Sequence, residues 1–100
     1  MPTRNVVFHR LAAREYRAAR DWYVERSTEV AKRFHASVDR AVDRIAAQGE
    51  SLPHFSSDYR YVRVGRFPYL LIFRPMDVHA IMILAVAHTS RRPGYWRRRK

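Results

Sequence analysis

One hundred residues make a single domain with chain enough for one core, and 47% hydrophobic residues exclude a disordered basic arm. Cysteine is absent, which excludes a disulfide framework and a thiolate metal site and suits a reducing cytoplasm. The formal net charge of +11 points to polyanionic partners, either nucleic acid or an acidic protein.

That charge is unevenly placed. Residues 1–50 carry ten cations and seven acids, a net of +3; residues 51–100 carry ten cations and only Asp58 and Asp77, a net of +8. Compositional drift of a GC-rich coding sequence accounts for an excess of Arg over Lys, but not for this asymmetry between halves. The N-terminal stretch MPTRNVVFHR lacks the apolar run of a signal peptide, and no run reaches the roughly 18 residues of a membrane span. A soluble, cytoplasmic protein without a membrane partner is expected.

In chain order, Asn5-Val6-Val7-Phe8-His9 is a short β-type run. From about Leu11 the period becomes helical: Ala12, Tyr16, Ala19 and Tyr23 share one stripe, which Trp22 widens, while Arg14, Arg17, Arg20 and Asp21 take the other side. Arg26-Ser27-Thr28 breaks the pattern and offers a hydroxyl N-cap. The second helix carries Val30, Phe34, Val38, Ala41, Val42 and Ile45 on one face, with Gly49 suited to its C′ position. So short a link makes the helices an antiparallel hairpin.

Residues 51–58 read as a loop by their Pro and Ser content. Three β-type runs follow, Tyr59–Val64, Tyr69–Phe73 and Ala80–Ala87, with turns at Gly65 and at Arg74-Pro75-Met76-Asp77. The predicted order is β-α-α-β-β-β: an α+β domain spanning 1–100, with an antiparallel sheet, the helical hairpin on one face and nothing covering the other. The C-terminal stretch HTSRRPGYWRRRK leaves the last strand directly. Its Tyr95-Trp96 pair needs somewhere to dock, so Arg91 to Trp96 are expected at the sheet edge, and 97–100 as a frayed basic end.

The order of elements, with "WY" on the first helix, "GRFPYLLIF" on the middle strand and "AVAHTSRRPGYW" off the last, resembles the RelE/ParE superfamily. These are toxins of bacterial type II toxin–antitoxin (plasmid stabilisation) modules, and the likeness runs from about Asn5 to Arg98. It implies a growth-inhibiting toxin neutralised by a cognate antitoxin in a hetero-oligomer. ParE-like members block DNA gyrase; RelE-like members cut mRNA on the ribosome. The RelE-like pattern has a Lys-rich second strand, an Arg after the middle strand's Tyr, an Arg after the last strand and a C-terminal Tyr.

In this chain Arg91 or Arg92 matches the third feature and Tyr95 stands near the fourth. Leu70 occupies the middle-strand Arg position, and the second strand offers Arg60 and Arg63 but no Lys. Cleavage needs a proton acceptor and donor as well as cations, and an always-protonated Arg is a poor base. The departures favour the ParE-like, non-cleaving reading. If the chain does cut RNA, the candidate catalytic residues are Arg91, Tyr95, His88 and Arg60. For binding target or antitoxin the candidates are Arg60, Arg63, Tyr69, His88, Arg91, Arg92, Tyr95 and Trp96. The five His residues (His9, His35, His54, His79, His88) show no metal-ligand spacing, and no cofactor is expected. A plain nucleic-acid-binding module is a third reading, with no recognition motif behind it.

Overall fold

A computed structural model describes residues 3–56 and 58–100. The elements are β1 (Asn5–Phe8), α1 (Arg10–Arg26), α2 (Thr28–Gln48), a 3-10 turn (Gly49–Ser51), β2 (His54–Ser56), β3 (Tyr59–Arg63), β4 (Tyr69–Pro75) and β5 (Ala80–His88). The α+β reading holds, with two corrections. Residues 54–56, expected as loop, form an edge strand. The five-stranded sheet, ordered β1-β5-β4-β3-β2, is mixed rather than antiparallel, because β1 pairs parallel to β5 with Asn5 opposite Ala80 and Phe8 opposite Ile83. No hairpin turn dictates the direction of β1; the helical hairpin separates it from the rest of the sheet.

The helices begin and end for local reasons. His9 caps α1, its Nδ1 accepting from Leu11 N–H at 3.1 Å. Ser27 Oγ accepts from Val30 N–H at 3.2 Å and starts α2. Gly49 is not a left-handed C′ residue: its φ of −48° continues the helical backbone. A Cβ there would lie 2.9 Å from Ile81 Cδ1, so the buried end of that side chain would have to shift. The β3–β4 turn does require left-handed backbone, and Gly65 supplies it with φ +52°.

The core has two parts, one on each face of the sheet. Under the helices, Ala12, Ala19, Phe34, Val38, Ala41 and Ile45 meet Val62, Val64, Leu71, Phe73, Ile81, Ile83 and Val86. On the other face, Ile72, Leu84, Ala85 and Ala87 are sealed by Trp96, with Phe55, Tyr59, Tyr61, Leu70 and Tyr95 around it. That face, expected bare, is covered by the C-terminal segment. Trp96 is only 2% exposed, so it is core rather than working surface. Trp22, expected to widen the helical stripe, is 51% exposed with the Arg26 guanidinium 3.6 Å over its ring.

Strand β5 carries a bulge. Ile72 pairs with Ala85 but Phe73 pairs with Ile83, so β5 has one extra residue. Leu84 and Ala85 therefore both serve the second face, and the alternation is re-phased beyond them. Val86 turns to the helix side. His88 follows, its ring 5.1 Å from that of Tyr69. A regular strand would have sent His88 to the opposite face.

Candidate functional site

Strand β1 ends at Phe8, opposite Ile83, and β5 runs five residues further with that edge unpaired. Unpaired strand edges invite other chains. Two side chains close this one. Val86 N–H donates to Glu15 Oε1 at 3.0 Å, and Arg99 Nη1 donates to the Leu84 carbonyl at 2.9 Å. The same Arg99 grips Glu15 with both guanidinium nitrogens, at 2.8 and 3.0 Å. An Arg–carboxylate fork thus stands where the next strand would, supplying one acceptor and one donor. Both partners are largely buried, with side-chain exposures of 13% for Arg99 and 16% for Glu15.

The remaining groups assemble on that carboxylate. Arg91 Nη1 donates to Glu15 Oε2 at 3.1 Å and the Tyr95 hydroxyl donates to it at 2.8 Å. The Arg91 guanidinium lies 3.6 Å over the Tyr95 ring, with that of Arg99 at 4.9 Å, so two cations lie against the phenol. Burial first, then the Glu15 hydrogen bond, push the Tyr95 hydroxyl well above its ordinary pKa. The bond to Glu15 raises Arg99 as well. Tyr95 is therefore neutral and committed as a donor, and Glu15 has four partners.

His88 sits beside this cluster. Ser90 N–H donates to its Nδ1 at 3.0 Å, which places the proton of the neutral ring on Nε2. An open groove runs from His88 and Arg91 past Tyr69 and Pro68 to Tyr23 and Trp22. Burial raises the Tyr69 and Tyr23 hydroxyls too.

The structure brings together four of the residues singled out from sequence: Tyr69, His88, Arg91 and Tyr95. Arg60 lies elsewhere. It shares the helix side of β3 with Val62, its Nη1 donates to the Leu52 carbonyl at 2.6 Å, and it neighbours Gly49, Glu50 and Phe73. Arg63 and Arg92 are solvent-exposed. The end at 97–100 is not frayed: Arg99 is anchored as described, Arg99 N–H donates to the Trp96 carbonyl at 2.9 Å, and the Tyr59 hydroxyl reaches the Arg97 carbonyl. Leu70 packs into the Trp96 cluster, so the position of the RelE-like Arg belongs to an apolar core. Among the described residues, no three His, Asp or Glu side chains are grouped to hold a metal ion.

Sequence reasoning missed Glu15, Arg99 and the exposure of Trp22. A signal for Glu15 existed. It falls between Ala12 and Ala19 at the margin of the apolar stripe, where an acid needs a partner, and the C-terminal stretch holds six cations and no acid.

The family described as "ParE toxin of type II toxin-antitoxin system, parDE" matches residues 6–93. Among solved structures, a chain of the chromosomal ParDE toxin–antitoxin system from P. aeruginosa is similar in fold, with a TM-score of 0.71 at 21% identity. The match covers 86% of this chain and 96% of that one. No curated protein matches the sequence at significance.

Proposed function

The chain belongs to the ParE toxin family of type II toxin–antitoxin systems, and from that premise we propose that it blocks DNA gyrase without cutting RNA. A cognate antitoxin holds it inactive in a cytoplasmic hetero-oligomer. The observation that carries the non-cleaving reading is the saturation of Glu15. That carboxylate, at the centre of the basic cluster, accepts from Val86 N–H, Arg91, Tyr95 and Arg99, which leaves it no capacity as a general base. Tyr95, with its raised pKa, is a poor proton acceptor, and the neutral His88 ring presents a donor at Nε2. Leu70 supports the same reading, since an apolar side chain stands where the RelE-like pattern has a cation on the scissile phosphate.

The test follows supercoiling and mRNA integrity together. Purified chain added to gyrase and relaxed plasmid should suppress supercoiling, and primer extension after induced expression should show intact messages. Codon-positioned cuts that require ribosomes would reverse the assignment to the endoribonuclease branch. The antitoxin of this reading is acidic, and its C-terminal segment lies over the Arg-rich end; the second sheet face, expected open, is already occupied by Trp96 and its neighbours. Steering by the +8 half should make association slow steeply as salt rises; a rate constant indifferent to ionic strength would remove that part of the proposal.

A further inference from the structure

Helix α1 begins in an electrostatically inverted way. Helix N-termini favour acids, yet the first turn of α1 contains none, and Arg10 stands at its first position. By contrast, α2 has Glu29 in its first turn. Around the start of α1, Arg10, Arg91, Arg98 and Lys100 line a concavity with His9. His9 is 92% buried by its 8% exposure, and its Nδ1 is occupied by the Leu11 cap, so the neutral ring keeps its proton on Nε2. The concavity thus offers cations, and the nearby acid Glu15 is already shared by three side-chain donors and a backbone N–H.

The positive surface continues beyond the concavity. Arg10, Arg14 and Arg17 follow at i, i+4 and i+7, which places them on one solvent stripe about 10 Å long. All three are exposed, and among the described residues none has an ion-pair partner. Asp21, paired with Arg20, ends the stripe. A single small anion would use the concavity alone; a row of unpaired guanidiniums leading out of it fits a row of phosphates. A stacking platform for single-stranded bases is missing among the described residues of this surface, since the Tyr95 ring is already engaged by Arg91 and Arg99 and Trp96 is buried.

We infer that the α1 N-terminus, with Arg10, Arg14, Arg17 and Arg98, is a contact surface for the phosphodiester backbone of double-helical DNA. The backbone contact stands on this surface alone; the choice of DNA over an RNA duplex rests on the gyrase reading.

The experiment uses the whole chain without gyrase. Fluorescence anisotropy with a labelled duplex of about 20 base pairs is read across a salt series, since each neutralised phosphate contributes about 0.9 to the slope of log K against log salt. Replacing Arg10, Arg14 and Arg17 together by Ser should lower that slope by about 2 to 3 and weaken binding more than tenfold at low salt. Replacing exposed Lys32, Arg33 and Arg44 of α2 removes the same charge elsewhere and should leave the slope within about one unit of the wild type. A triple Lys variant of the stripe should restore the slope.

Equal losses in the two Ser variants, or failure of the Lys variant to restore binding, overturn the inference, because the net charge or the fold would then be the cause. So does tighter binding of a single strand, an RNA duplex or a polyglutamate peptide than of the DNA duplex. A parallel supercoiling assay keeps the two readings apart: wild type that binds duplex by the stripe but leaves gyrase active defeats the gyrase reading and spares this one.

Discussion

The two faces of the sheet are closed by different means. The helix side is sealed by two long amphipathic elements whose apolar stripes recur every three to four residues, so the loss of one contact is shared among many neighbours. The second face is sealed by one side chain at the end of the chain, Trp96, ringed by Phe55 at 4.9 Å, Tyr95 at 5.4 Å and Tyr59 at 6.5 Å. That single plug is tied to the Glu15 cluster through its neighbours Tyr95 and Arg99. Closure of the second face is therefore coupled to the candidate site, while closure of the helix side is spread over many residues.

Substitutions at four places in these two regions would break or sharpen that contrast. The largest effect should come from Trp96→Ala, at about 3 to 5 kcal/mol, since it opens a cavity over Ile72 and Leu84 that no other element can fill. Trp96→Phe should cost less than half of that: it keeps a ring and removes an indole N–H that is buried without an acceptor among the described residues. Chemical denaturation reads both, and equal losses would show that the N–H is not a burden.

Next comes Glu15→Ala, at about 2 to 4 kcal/mol, because Arg99 is left as a largely buried cation and the β5 edge loses its caps. Arg99→Ala should repeat much of the loss, and the double variant should cost clearly less than the sum. Strict additivity would mean the fork does not act as a unit.

A smaller effect on stability is expected of Arg91→Ala with Arg92→Ala, about 1 kcal/mol, as Arg91 is half exposed and Arg92 exposed. Toxicity should nevertheless be lost, so growth after induction, read beside a thermal melt, separates the two roles. Full toxicity of a folded double variant would move the working surface elsewhere.

The smallest effect is that of Tyr95→Phe, whose size depends on pH. The folded-state pKa is raised, so the stabilisation is fully present below about 10, the ordinary Tyr value, and is lost as pH rises toward the folded value. Melting temperatures of wild type and Tyr95→Phe should differ at neutral pH and converge in strong alkali. A difference that stays constant to pH 11 would remove the ionisation argument.

Much of the fold was legible in local pattern, and the site was legible in part. The stripe of Ala12, Tyr16, Ala19 and Tyr23, the Ser27 cap and the three β-type runs after residue 58 are features of neighbouring residues, and the structure repeats them. Arg91 and Tyr95 stood out because they follow the last strand directly, in a stretch with six cations and no acid. Glu15 stayed hidden because its partners lie 71 to 84 positions away along the chain. Arg60 was misplaced to the site because alternation assigns a residue to a face but does not say which end of the sheet carries the chemistry.

The sequence by itself determined the helices, their hairpin, the β-type runs and the basic character, since each depends on a period or composition within a few turns of chain. Tertiary structure alone decided the parallel pairing of β1, the strand at 54–56, the bulge that turns His88 toward Tyr69, the burial of Trp96 and the convergence of Arg91, Tyr95 and Arg99 on Glu15. The physical reason is that an edge, a bare face or an unpaired carboxylate selects its partner from whatever the rest of the chain leaves unoccupied, and no local period encodes that competition.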